Sequence, residues 1–195
     1  MAISIPASQL QIDFAFALEQ IRAMYLQEAL SEAVSRLKLR AIDAELAKFA
    51  PAPSLTTLVS HGLRGELMFA LPCILRASPR LLGYYRLLLG FSQKAFYTSQ
   101  FGLTSFRGME DKGSINAKQE GLLSELCTAL AAASATLLEG IGAKRMSREL
   151  LHDLALLTVG PQLRGGYNVK LGLAGIVKVF DAISAIVADA AVRTE

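Results

Sequence analysis

Apolar residues in this chain recur at three- and four-residue steps, and that period limits the possible folds more than any other feature. Phe14, Leu18, Ile21, Tyr25 and Ala29 form one such stripe, while Glu19, Arg22, Glu28 and Glu32 fall off it. A helix gathers residues so spaced on one face. The spacing and the Ser8/Gln11 box predict a helix from about Gln9 to Leu37. A second, Arg40–Phe49, ends at Pro51, and a short third covers Leu55–His61 before Gly62.

Ser78 followed by Pro79 starts a fourth helix, running to about Tyr97. Gln100–Ser114, with Gly102, Gly108 and Gly113, reads as a loop. Asn116, with Gln119 in the box position, caps a helix to about Glu139, and Ser147 caps another over Arg148–Thr158. Gly160-Pro161 and Gly165-Gly166 read as a turn, and Asn168 begins a last helix to about Val192. One short apolar run, Leu67–Leu71, has strand character, but Pro72 ends it with no obvious partner. The expectation is an all-α fold, a compact bundle of six or seven helices with at most one short strand, in a single domain over 1–195.

Hydrophobic residues are 52% of the chain, charged residues 19%, and the mean hydropathy is +0.38, which excludes a solvated disordered chain. The longest run without Lys, Arg, Asp or Glu is Phe49–Leu63, which carries His61 and two prolines. No membrane helix is expected, and the N-terminus lacks the basic and apolar regions of a signal peptide. A cytoplasmic protein is the reading.

Two cysteines 54 residues apart, Cys73 and Cys127, make neither a disulfide framework nor a zinc cluster. Two histidines, His61 and His152, leave little for metal or triad chemistry. Gly140-Ile141-Gly142 lacks the third glycine of a dinucleotide fingerprint, and Gly90-Phe91-Ser92-Gln93-Lys94 has Lys where a nucleophile elbow needs glycine. Glu110-Asp111-Lys112 has the local Glu-x-Lys form of a metal nuclease, but no aspartate lies between Asp43 and Asp111 to serve as upstream ligand. No catalytic or metal-binding residue is assigned.

Charge distribution says more than net charge, which is only +3. From Leu67 to Met109 there are five cations, Arg76, Arg80, Arg86, Lys94 and Arg107, and no acid. Tyr84, Tyr85, Phe91, Phe96, Tyr97, Phe101 and Phe106 are interleaved with them. A second acid-free stretch, Leu154–Phe180, carries Arg164 beside two glycines, where backbone amides and a guanidinium can meet one anion. Such segments suit a polyanion, and equally a solvated basic face.

Two blocks carry a resemblance: Gly62-Leu63-Arg64-Gly65-Glu66-Leu67 and the longer Ser78-Pro79-Arg80-Leu81-Leu82-Gly83-Tyr84-Tyr85-Arg86-Leu87-Leu88-Leu89-Gly90-Phe91-Ser92-Gln93-Lys94-Ala95-Phe96-Tyr97. With Phe106-Arg107-Gly108-Met109-Glu110-Asp111-Lys112-Gly113 and Gly160–Asn168, the chain resembles the XcyI family of type II restriction endonucleases over most of its length. The resemblance implies binding of double-stranded DNA at CCCGGG, Mg²⁺-dependent cutting, and either a two-fold dimer or two equivalent readings of a palindromic site. It implies phosphate or guanine contacts for Arg64, Arg76, Arg80, Arg107, Lys112 and Arg164, with Arg86 and Lys94 less central. The chain departs from the pattern in one respect: no PD-(D/E)xK core, an acid followed by a strand bearing Glu-x-Lys, is visible. It therefore reads as the helical N-terminal part of a longer enzyme, with Mg²⁺ held elsewhere. The rival reading is an all-α interaction or scaffold domain without nucleic acid.

Overall fold

The computed structural model describes residues 9–161. The chain divides into two compact units, residues 1–159 and 160–195, and the architecture below is that of the first. The all-α class holds among the described residues, with shorter and more numerous helices than the periodicity suggested.

The long first helix is two. α1 (Gln9–Tyr25) and α2 (Gln27–Ser35) meet at Leu26, whose ψ of −164° breaks the helical run while its side chain is fully buried. No proline or glycine marks this break; burial of Leu26 overrides a locally continuous helical pattern. α3 (Leu39–Phe49) and α4 (Ala52–Ser60) follow as expected, α4 opening with proline in its first turn. His61 caps the C-terminal end of α4, where its Nδ1 lies 2.8 Å from the Thr57 carbonyl.

The Leu67–Leu71 run is not a strand. Gly65–Leu67 forms a 3-10 turn that leads into α5 (Pro72–Ala77). Two tyrosines hold it there: Tyr84 Oη donates to the Leu67 carbonyl at 2.7 Å and Tyr85 Oη to the Glu66 carbonyl at 3.0 Å. Their rings meet edge to face at 5.1 Å in the core. Burial drives both phenols well above their ordinary pKa, so they act as neutral donors.

The expected Ser78–Tyr97 helix is three pieces: a 3-10 turn at Pro79–Leu81, α6 (Leu82–Leu88) and α7 (Gln93–Phe96). Gly90 causes the main break. Its φ is +83°, its N–H bonds to the Leu87 carbonyl, and the Phe91 N–H bonds to the Arg86 carbonyl. This is the glycine C-cap that satisfies the last carbonyls of a helix. Ser92 then caps α7 by accepting from the Ala95 N–H at 3.1 Å.

Gln100–Ser114 is largely helical rather than a loop. 3-10 turns at Ser99–Phe101 and Leu103–Phe106 run into α8 (Arg107–Lys112), which Gly113 stops at φ +68°. The Asn116/Gln119 capping box is present in both directions and starts α9 (Ala117–Ile141). α9 is, by length and composition, apolar enough to cross a membrane, which the charge pattern had not signalled. Its Leu123, Leu126, Cys127, Leu130 and Leu138 are buried in the core. Ser147 caps α10 (148–161) through the Leu150 N–H, so Gly160 and Pro161 are helical rather than a turn. The Ser8 box, Gly165-Gly166 and the Asn168 cap lie outside the described residues.

The core gathers Leu30, Ile42, Leu58, Phe69, Leu71, Ile74, Tyr84 and Tyr85 with the inner face of α9. Both cysteines are free, and burial pushes each thiol up to about 12.

Gly102 and Gly113 offer a matched comparison. Both have φ +68°, but a Cβ at Gly102 meets nothing within 4 Å, whereas at Gly113 it would lie 2.7 Å from Arg80 Nε. Gly102→Ala is expected to lose about 1–2 kcal/mol to backbone strain alone. Gly113→Ala should lose more, because Arg80 must also leave its place. Urea unfolding midpoints of the two variants measure the difference.

Candidate nucleic-acid interface

One buried ion pair organises the region that the sequence marked. Arg86 on α6 and Glu110 on α8 are each 3% exposed. Arg86 Nε donates to Glu110 Oε2 at 2.9 Å and Nη2 to Oε1 at 2.8 Å, the two-pronged geometry that suits a guanidinium and a carboxylate. Gln93 Nε2 on α7 adds a bond to Oε1 at 2.8 Å, and Tyr97 Oη adds one to Oε2 at 2.7 Å. Each carboxylate oxygen thus accepts two hydrogen bonds. Arg86 Nη1 closes the circle on the Phe91 carbonyl.

Burial alone would raise the Glu110 carboxyl; the hydrogen bonds and charge of Arg86, with Tyr97 and Gln93, outweigh it and hold the group below the usual carboxylate range. Burial and the Glu110 charge raise the Tyr97 phenol, so it stays a neutral donor.

This arrangement decides the Glu-x-Lys question. On a strand, residues i and i+2 point the same way; on a helix they diverge. In α8, Glu110 turns into the core and Lys112 is exposed, so the two do not face one site. Glu110 also has no free lone-pair direction left. Among the described residues no three His, Cys, Asp or Glu side chains converge as a metal site, so these residues do not fit the Mg²⁺ that the resemblance implies.

The eight cations singled out in the sequence separate into groups. Arg86 is withdrawn from any surface role: its guanidinium is internal and engaged with Glu110 and the Phe91 carbonyl. Arg64 is exposed but paired with Glu66 and, at 3.2 Å, with Asp43; the hydrogen bond to Glu66 raises its pKa, with burial working against it. Arg76 lies 2.7 Å from Glu120 and 3.9 Å from Glu45. Carboxylates thus balance both of these arginines. Arg164 lies outside the described residues.

The remaining four are brought together around α7 and α8. Lys94 is exposed on α7, next to the Gln93 that anchors on Glu110. Arg107 and Lys112 are exposed on α8. Arg80 stands over the end of α8, its Nη2 donating to the Lys112 carbonyl at 3.4 Å, where a cation meets the negative pole of the helix. Phe91 and Phe101 are exposed on the neighbouring turns. Sequence reading missed Gln93 and Asp111, which join this face to the buried pair: Gln93 Nε2 also reaches Asp111 Oδ1 at 3.2 Å, and Arg107 Nε reaches Asp111 Oδ2 at 3.1 Å. A polar residue just after a Ser cap was the available signal.

Comparison with known proteins places the chain in a family. The model of the XcyI restriction endonuclease family matches residues 15–194. The chain belongs to this family. It is 52% identical over 191 residues to the type II restriction enzyme XcyI of Xanthomonas campestris pv. cyanopsidis, covering 97% of this chain and 57% of that protein. It is 48% identical over 190 residues to the type II restriction enzyme Cfr9I of Citrobacter freundii, covering 96% and 58%. The chain therefore spans a little over half the length of both family relatives. No solved structure matches it.

Within this XcyI-family chain the buried pair should dominate local stability. Glu110→Gln leaves the Arg86 charge internal and unpaired, and is expected to cost about 3–5 kcal/mol by urea unfolding. Because the folded carboxyl lies below its unfolded value near about 4.3, its stabilisation is complete above that pH and is lost as pH falls through the folded value. The acid limb of the wild-type stability curve should therefore flatten in Glu110→Gln.

Proposed function

We propose that this chain is the DNA-binding helical portion of a type II restriction endonuclease, and that it grips duplex DNA with Arg80, Lys94, Arg107 and Lys112. The observation that carries the reading is the gathering of these cations on one rigid corner in a chain of this family. The target that the family resemblance supplies is the CCCGGG duplex. A palindrome of that kind is matched by a two-fold dimer, so the bound form is read as a homodimer. Arg64, Arg76 and Arg164 are secondary contacts, the first two reaching DNA only by giving up their carboxylate partners.

Type II restriction enzymes generally use Mg²⁺, and the cutting reaction is assigned to the whole enzyme, in the cytoplasm. The carboxylates that hold the ion are placed outside residues 9–161, because Glu110 is committed to Arg86. The helical region then supplies grip and orientation.

Phosphate contacts displace counterions, so affinity should fall steeply with salt. Each of Lys94→Ala and Lys112→Ala is expected to reduce the log–log salt slope by about 1. Arg76→Ala should change it less, since Glu120 and Glu45 already balance that charge. Mobility shifts of the chain on duplex DNA across a salt series, without Mg²⁺, measure the slopes. Absence of binding at low salt would overturn the assignment.

A further inference from the structure

The α7–α8 corner holds one residue that a simple phosphate grip would exclude. Asp111 is an anion among Lys94, Arg107 and Lys112, with its side chain 43% exposed. Against a phosphate backbone it repels. Yet it is held from two sides. Arg107, one helical turn earlier, donates to Oδ2 at 3.1 Å, and Gln93 donates to Oδ1 at 3.2 Å from a different helix. The same Gln93 nitrogen is fixed at 2.8 Å on Glu110, which the buried Arg86 and Tyr97 hold in turn.

An ordinary exposed pair at i, i+4 loses most of its value to side-chain freedom and screening. Here a chain of hydrogen bonds runs from a buried ion pair to the surface carboxylate and on to an exposed guanidinium. The two terminal nitrogens of Arg107 have no partner among the described residues, and its side chain is 59% exposed. The Asp111 oxygens keep lone pairs free for further donors. The corner therefore shows paired N–H donors beside a fixed acceptor.

The edge of a G·C pair in the major groove is the complement of that pattern. Guanine offers two acceptors, O6 and N7, and cytosine offers the N4 amino donor next to them. An A·T pair interrupts its acceptors with a donor on adenine, so the same side chains do not match it. We propose that Arg107 and Asp111 together read one G·C base pair, Arg107 donating to guanine and Asp111 accepting from cytosine N4. Gln93 is the positioning residue that holds the acceptor in place. The repulsion between Asp111 and phosphate then acts against binding to the wrong sequence. This inference rests on the DNA grip proposed above and assigns the selectivity within it.

The test is competitive binding of the 195-residue chain, without divalent ions, to four duplexes. One carries CCCGGG; three replace its outer, middle or inner symmetric G·C pairs by A·T. The wild type is expected to discriminate by about 10- to 100-fold at one of the three positions. Asp111→Ala should reduce that preference to what Arg107 alone supplies, while binding to a scrambled duplex holds or tightens. Gln93→Ala should weaken the same preference by a larger factor than it weakens binding to the scrambled duplex, whereas a merely structural role would lower both alike. Asp111→Asn keeps the shape and exchanges an acceptor for a donor; it should move the preference at that position toward A·T. Circular dichroism melting confirms that each variant is folded. A folded Asp111→Ala that keeps the full preference overturns the inference, as does equal wild-type binding to all duplexes. A wild type that binds no duplex overturns the DNA grip itself.

Discussion

A guanidinium and a carboxylate removed from water impose the strongest constraint on this fold. Left unpaired, either would cost several kcal/mol, of the order of about 3–5 for a broken buried pair. Arg86 therefore requires Glu110, and Glu110 requires every donor that reaches it. α6, α7 and α8 each contribute a side chain or flanking residue to that one carboxylate. Apolar packing alone would let three short helices slide; a carboxylate with four directed donors fixes their angles as well as their spacing. The glycine cap at Gly90 turns the chain so that Phe91 presents its carbonyl to Arg86 and Gln93 its amide to Glu110.

The surface inherits this order. α7 and α8 have only 4 and 6 residues, too short to be stable alone. The cations they carry are placed by the internal pair rather than by the helices. That separates Lys94 and Lys112 from Arg64 and Arg76, which sit opposite carboxylates of α3 and α9 and hold helices together; Arg107 is paired within its own helix, with Asp111. Equal counts of positive charge thus do different work, according to whether an acid lies within about 4 Å.

Much of the helix content was legible because periodicity and prolines mark α3 and α4, and side-chain caps mark α9 and α10. Asn116 with Gln119, and Ser147 with Leu150, are local rules obeyed locally. The failures arose where tertiary contacts overrode them. Leu26 breaks a clean helical stripe because its burial is worth more than one continuous helix. The Leu67–Leu71 run had strand character, but tyrosine hydroxyls 17 and 19 residues away take the carbonyls of Leu67 and of Glu66 just before it. Gly90 and Ser92 were readable as a stop and a start, but the apolar run across them hid the pair.

The candidate site shows the same division. A basic stretch with interleaved aromatics was visible, and so was the Glu-x-Lys triplet. What composition does not carry is direction. Arg86 stands between Tyr85 and Leu87 in a segment whose every residue is buried, and an arginine so placed must have an internal partner. The first carboxylate after the acid-free Leu67–Met109 stretch is Glu110. Glu66, the last carboxylate before that stretch, is equally buried, so only the structure assigns the pair to Glu110; with Glu110 turned inward, helical geometry sends Asp111 and Lys112 outward. A nuclease triplet on a strand aims its carboxylate and lysine at one scissile phosphate; the same letters on a helix, locked from inside, instead aim a carboxylate inward and leave its neighbours exposed.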